Sequence, residues 1–120
     1  MKNDLSNDSK KISSLIVKLI QEKKGYDINV IYVDKLTTIT DIFIICTSDS
    51  EPQTRAITNN IKDSLKECGI KANHIEGYEY LKWVLMDFFN VTVNIFSKEY
   101  REFYTIERLW ADAKVDYIKN

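Results

Sequence analysis

The run Ile42-Phe43-Ile44-Ile45-Cys46 constrains this chain more than any other feature: five consecutive apolar residues between Asp41 and Thr47-Ser48. A membrane span needs about 20 such residues, and an apolar run this short fits a strand better than a helix. Extended backbone sends alternate side chains to opposite faces. This segment is therefore apolar on both faces and needs a cover on each, the mark of a central strand in a layered α/β protein.

The flanking pattern supplies the layers. Ile12, Leu15, Ile16, Leu19 and Ile20 recur at helical spacing, with Lys10, Lys11, Lys18 and Gln21 on the other side. Asn7 or Asp8 can cap this helix, and Gly25 stands where a left-handed residue would end it. Ile28 to Val33 reads as a first strand and Asp41 to Thr47 as a second. Ser50 opens a second helix, with Pro52 in its first turn and Gln53 placed to close a capping box. Ala56, Ile57, Ile61 and Leu65 form its apolar stripe, and Gly69 ends it. A third strand falls around Ala72 to Glu76, and Gly77 to Lys82 is a loop in which Gly77 serves backbone conformation. Trp83 to Phe88 and Val91 to Phe96 make a hairpin across Phe89-Asn90, where Asn suits a positive φ and Phe does not. Ser97 caps a short helix through Tyr104, a turn follows around Ile106 to Trp110, and Lys114 to Asn120 carries no pattern. The order α-β-β-α-β-β-β-α predicts one α/β domain, a mixed sheet of about five strands with helices on its faces.

Composition narrows the function classes. The 120 residues suffice for one domain. Seventeen basic and eighteen acidic side chains leave a net charge of −1, which argues against binding driven by phosphates. Fourteen of the basic residues are Lys and three Arg, too few bidentate forks for a sequence-specific reader of nucleic acid. Cys46 and Cys68 lack the paired spacing of a zinc site and do not make a disulfide framework; both read as buried or half-buried thiols. Met1 to Lys11 is polar and unlike a signal or transit segment. A cytoplasmic protein with no membrane contact is the expectation.

Catalysis finds little support. Asp41 and Asp87 are candidate metal carboxylates, but they lie on different strands and no glycine-rich phosphate loop accompanies either. Ser48-Asp49-Ser50 is a weak echo of a nucleotidyltransferase serine turn. No Asp-x-Asp lies within a strand to go with it, and Asp112 and Asp116 are C-terminal. His74 has no nucleophile beside it and reads as a surface or hydrogen-bonded residue. No metal, cofactor or catalytic residue is assigned. In the Trp83 strand, alternation puts Trp83, Leu85 and Asp87 on one face and Val84, Met86 and Phe88 on the other. Either both faces are buried within the chain, or the aromatic one awaits a partner, since Trp, Tyr and Met are enriched in interface cores. Tyr100, Phe103, Tyr104 and Trp110, with Arg101 and Arg108, have the composition of a binding hot spot, and equally that of an ordinary helix packed on a sheet.

Three segments carry a family resemblance. Residues Ile39 to Thr47, then Glu76-Gly77 with Trp83-Val84-Leu85-Met86-Asp87, then Arg101 to Ala113, resemble motifs of the ribosomal silencing factors (the RsfS or Iojap family) in the right order. The resemblance spans about residues 10–113, so a single domain over 1–120 is expected. The chain departs from the pattern at Phe89-Asn90, where the family usually has Gly-Asp, at Asn94, where it usually has His, and near Lys98, where Pro is common. The resemblance implies a nucleotidyltransferase-like fold without the catalytic carboxylates, and no enzyme activity. It implies binding to the large ribosomal subunit through its protein L-fourteen, blocking association with the small subunit and repressing translation. Assembly of the large subunit is the alternative role, and a small nucleotidyltransferase a more distant one. It also implies a homodimer when free, with Trp83, Leu85, Asp87, Arg101, Tyr104 and Trp110 as candidate partner-binding residues.

Overall fold

The computed structural model describes residues 8–103, 110 and 112–119. Its elements are α1 (Ser9–Glu22), β1 (Tyr26–Tyr32), β2 (Ile42–Ser48), α2 (Glu51–Glu67), β3 (His74–Glu76), β4 (Trp83–Asp87), β5 (Val91–Ser97), α3 (Lys98–Phe103) and β6 (Lys114–Tyr117). The strands form one mixed sheet in the order β3-β4-β5-β2-β1-β6. β2 and β5 run parallel at its centre, and the other neighbours are antiparallel. Every residue of β2 is buried, as its double apolar face requires.

The two faces are unequally covered. Helices α1 and α2 both pack on one, where Ile12, Ile16, Ile57 and Ile61 meet Ile44, Val84, Met86 and Val93. The opposite face holds a smaller core of Ile31, Val33, Phe43, Ile45 and Phe96, covered by Trp83, Tyr100, Trp110 and Val115. Both long helices therefore share one side of the sheet.

Local chemistry departs from the sequence reading at several points. Asp8 caps α1 by accepting from Lys11 N–H at 3.1 Å. The left-handed residue that ends this helix is Lys24, with φ +68°, not Gly25. Gly25 N–H and Lys24 N–H bond back to Ile20 and Gln21 carbonyls in a Schellman closure. Gly25 is required instead by packing, because a Cβ there would collide with Ile20 and lie 3.1 Å from Ile57. At α2, Ser50 Oγ accepts from Gln53 N–H at 3.2 Å, but Gln53 Oε1 accepts from Asp49 N–H rather than from Ser50. The third strand shrinks to three residues. The tail without a pattern adds a sixth strand, β6, because β1 offers it an edge; Val115 packs on the smaller core and Ile118, just beyond the strand, on the larger. Cys68 is exposed at the end of α2, against the expectation of a buried or half-buried thiol. No helix among the described residues is long and apolar enough to cross a membrane.

Candidate interaction surface

Three strands build the open part of the less-covered face. Along β4, burial alternates: Val84 and Met86 are buried beneath the helices, while Trp83, Leu85 and Asp87 are half-buried on the other side. Directly opposite residues of paired strands share a face. Phe96, Asn94 and Thr92 of β5 therefore flank Trp83, Leu85 and Asp87 on one side, and Glu76 and His74 of β3 flank Leu85 and Asp87 on the other.

Trp83 is held rigidly. Its ring stacks on Phe96 with centroids 4.8 Å apart and planes at 26°. Its Nε1–H donates to Asn94 Oδ1 at 2.9 Å, and the fully buried Asn94 donates in turn to the Ile44 carbonyl at 3.5 Å. Such a ring has little rotamer freedom left to lose on contact with a partner. Gly77 lies against the Trp83 backbone: its φ is +85°, and a Cβ there would strike the Trp83 carbonyl.

Asp87 has structural partners. Oδ1 accepts from Phe89 N–H at 2.8 Å and Oδ2 from Asn73 Nδ2 at 3.3 Å, tying the hairpin to the segment before β3. Arg101 lies farther along: Nη1 donates to the Asp27 carbonyl and to Thr47 Oγ1, both at 2.8 Å, clasping the irregular start of β1. Trp110 packs on Phe43 at 5.8 Å between centroids, its indole N–H buried without a partner among the described residues. Tyr104 and the turn expected around 106–109 lie outside the described residues. The structure thus gathers Trp83, Leu85 and Asp87 into one patch, sets Trp110 over the smaller core, and gives Arg101 a fastening role. Sequence reasoning missed His74, Glu76 and Asn94 on this face. The signal for Asn94 was an amide between the apolar residues Val93 and Ile95.

The two candidate carboxylates have separate partners. Asp41 accepts from Ser9 Oγ of α1 at 2.7 Å, whereas Asp87 is held by Phe89 and Asn73. No group of three or more metal-ligating side chains occurs among the described residues. His74 Nε2 and Glu76 Oε2 pair at 2.5 Å on the exposed edge strand. Burial pushes the Cys46 thiol up to about 12, and a hydrogen bond to Asp49 raises Tyr26 to about 12. Neither group belongs to the Trp83 patch.

A family model described as ribosomal silencing factor during starvation matches residues 6–120. The ribosomal silencing factor RsfS of Halalkalibacterium halodurans is 35% identical over 105 residues, covering 88% of this chain and 90% of that protein. The RsfS of Bacillus subtilis is 34% identical over 106 residues, with the same two coverages. The crystal structure of a Chromobacterium violaceum protein superposes with a TM-score of 0.84 at 33% identity, covering 94% of both chains. The likeness covers most of this chain and of its relatives alike, and on that extent the chain belongs to the ribosomal silencing factor family.

Proposed function

We propose that this protein binds the large ribosomal subunit through the Trp83 face, docking on ribosomal protein L-fourteen, and blocks association with the small subunit. The observation that carries the reading is the immobilised, half-exposed Trp83 beside Leu85 on a sheet face that the long helices leave open. Glu76 and Asp87 rim this apolar centre, a pattern that complements a basic protein surface. Repression is then steric, without chemistry, in keeping with two candidate carboxylates already engaged by Ser9, Phe89 and Asn73. The free protein pairs with a second copy through the same aromatic patch, and the site of action is the cytoplasm. Sedimentation with isolated large subunits, isolated small subunits and joined ribosomes tests the reading. Co-migration with large subunits alone is the expected result, and co-migration with none of them refutes it.

A further inference from the structure

The overall charge of −1 hides a local surplus of the opposite sign. Where the end of α2 meets the approach to β3, a cleft of about 490 Å³ is lined by Lys62, Lys66 and Lys71 against one carboxylate, Asp63. Lys62 and Lys66 lie one turn apart on the same side of α2. All three lysines are exposed, and none has an ion-pair partner among the described residues. They are not engaged in closing the helix either. Gly69 N–H and Ile70 N–H already bond to the Lys66 and Leu65 carbonyls.

The cleft is continuous with the rim of the Trp83 face. Asn73 lines it and donates through its backbone N–H to the Asp87 carbonyl at 2.8 Å. His74, also in the lining, stands directly opposite Asp87 in the sheet. The lysines stand on the helix side of the sheet, so a body seated on Trp83 and Leu85 reaches the three ammoniums by wrapping round the short edge strand β3.

We propose that this cleft takes the sugar-phosphate backbone of RNA while the Trp83 face takes protein. The inference rests on the ribosomal reading above and names a second chemistry for the same docking event. Lysine suits phosphate as a compact point charge. With no Arg in the lining, the contact positions the protein without reading bases, consistent with the absence of a sequence-specific motif. An acidic protein segment fits less well, because only Ala72 and Ile75 offer it an apolar anchor.

The test is the full-length variant Lys62→Gln/Lys66→Gln/Lys71→Gln, titrated with purified large subunits over a range of salt. Three phosphate contacts carry a salt slope of about 2.7, which amounts to roughly 40-fold in affinity between about 50 and 200 mM salt. The variant should lose most of that slope and bind at least about ten-fold more weakly at low salt. Its affinity for isolated L-fourteen and its circular dichroism should match wild type. Poly-uridylate should compete with large subunits for the wild-type protein at concentrations where polyglutamate does not. An unchanged slope, an equal loss of L-fourteen binding, or equal competition by polyglutamate overturns the RNA assignment while leaving the docking face intact. Failure of wild type to bind large subunits at any salt overturns both.

Discussion

Removing the Trp83 side chain disturbs more than a surface. The ring covers Phe96, and its N–H satisfies an Asn94 oxygen that has no route to solvent. Trp83→Ala should therefore lower the unfolding free energy by about 2–4 kcal/mol, from lost stacking and a stranded acceptor, read as a lower urea midpoint. Leu85 shares the face and is half-exposed, so it separates binding from folding. Leu85→Ala should cost at most about 1 kcal/mol of stability yet weaken large-subunit binding about ten-fold or more, as loss of a contact at an interface centre does. A folded Leu85→Ala that binds like wild type would remove this patch from consideration. The thiols give an independent check on the packing. Cys46 is fully buried with its pKa pushed up to about 12, and Cys68 is exposed. One thiol per chain should react with Ellman's reagent in native buffer and the second only in denaturant, because the thiolate is the reactive form. Rapid reaction of both would mean that the sheet opens around β2. Much of this was legible in the sequence: alternation alone placed Trp83, Leu85 and Asp87 together. The Trp83–Asn94 bond was not, because it depends on the register between β4 and β5, which no single strand encodes.

The β4–β5 hairpin shows where local rules yield to the element as a whole. Asn90 was the residue suited to a positive φ, yet Phe89 takes it, at +71°, with 62% of the residue exposed. The Asn90 N–H bonds to the Phe88 carbonyl at 2.9 Å, closing a three-residue turn centred on Phe89, a type that strains any residue with a Cβ. Asp87 Oδ1 holds the turn by accepting the Phe89 N–H, and pairing of Phe88 with Val91 fixes the register on either side. The position that departs from the family's Gly-Asp is thus the one whose backbone favours glycine. Phe89→Gly should raise stability by about 1 kcal/mol, the relief of left-handed strain less the added chain entropy, seen as a rise of a few degrees in Tm. A fall in Tm would show that the exposed ring packs usefully and that the turn stores no strain. The same logic accounts for Lys24 taking the left-handed position beside Gly25, and for β6. Its four residues alternate too briefly to stand out as a pattern, and they become a strand only because β1 offers them an edge.

At the scale of the whole molecule, the placement of both long helices on one face is what leaves the other available. A sequence that reads as apolar on both faces of its strands predicts covers without saying how the helices divide between them. Here the smaller core is closed by a six-residue helix and single aromatic side chains, and its β4 end stays half-open. The folded chain measures 44 × 32 × 26 Å, a size compatible with the proposed steric block. Under that proposal inhibition obeys linkage: silencing factor and small subunit should weaken each other's binding to the large subunit by the same factor. In a light-scattering assay of subunit joining, inhibition should titrate at one protein per large subunit and be relieved by excess small subunits. Ribosomes joined beforehand should resist it. Self-association through the same patch would make the onset depend on protein concentration, since the paired form is not competent to bind. Inactivation of many large subunits by one protein molecule would signal a catalytic act and overturn the steric account. The Leu85→Ala variant supplies the control, because it should shift the titration to higher concentration without changing the end point.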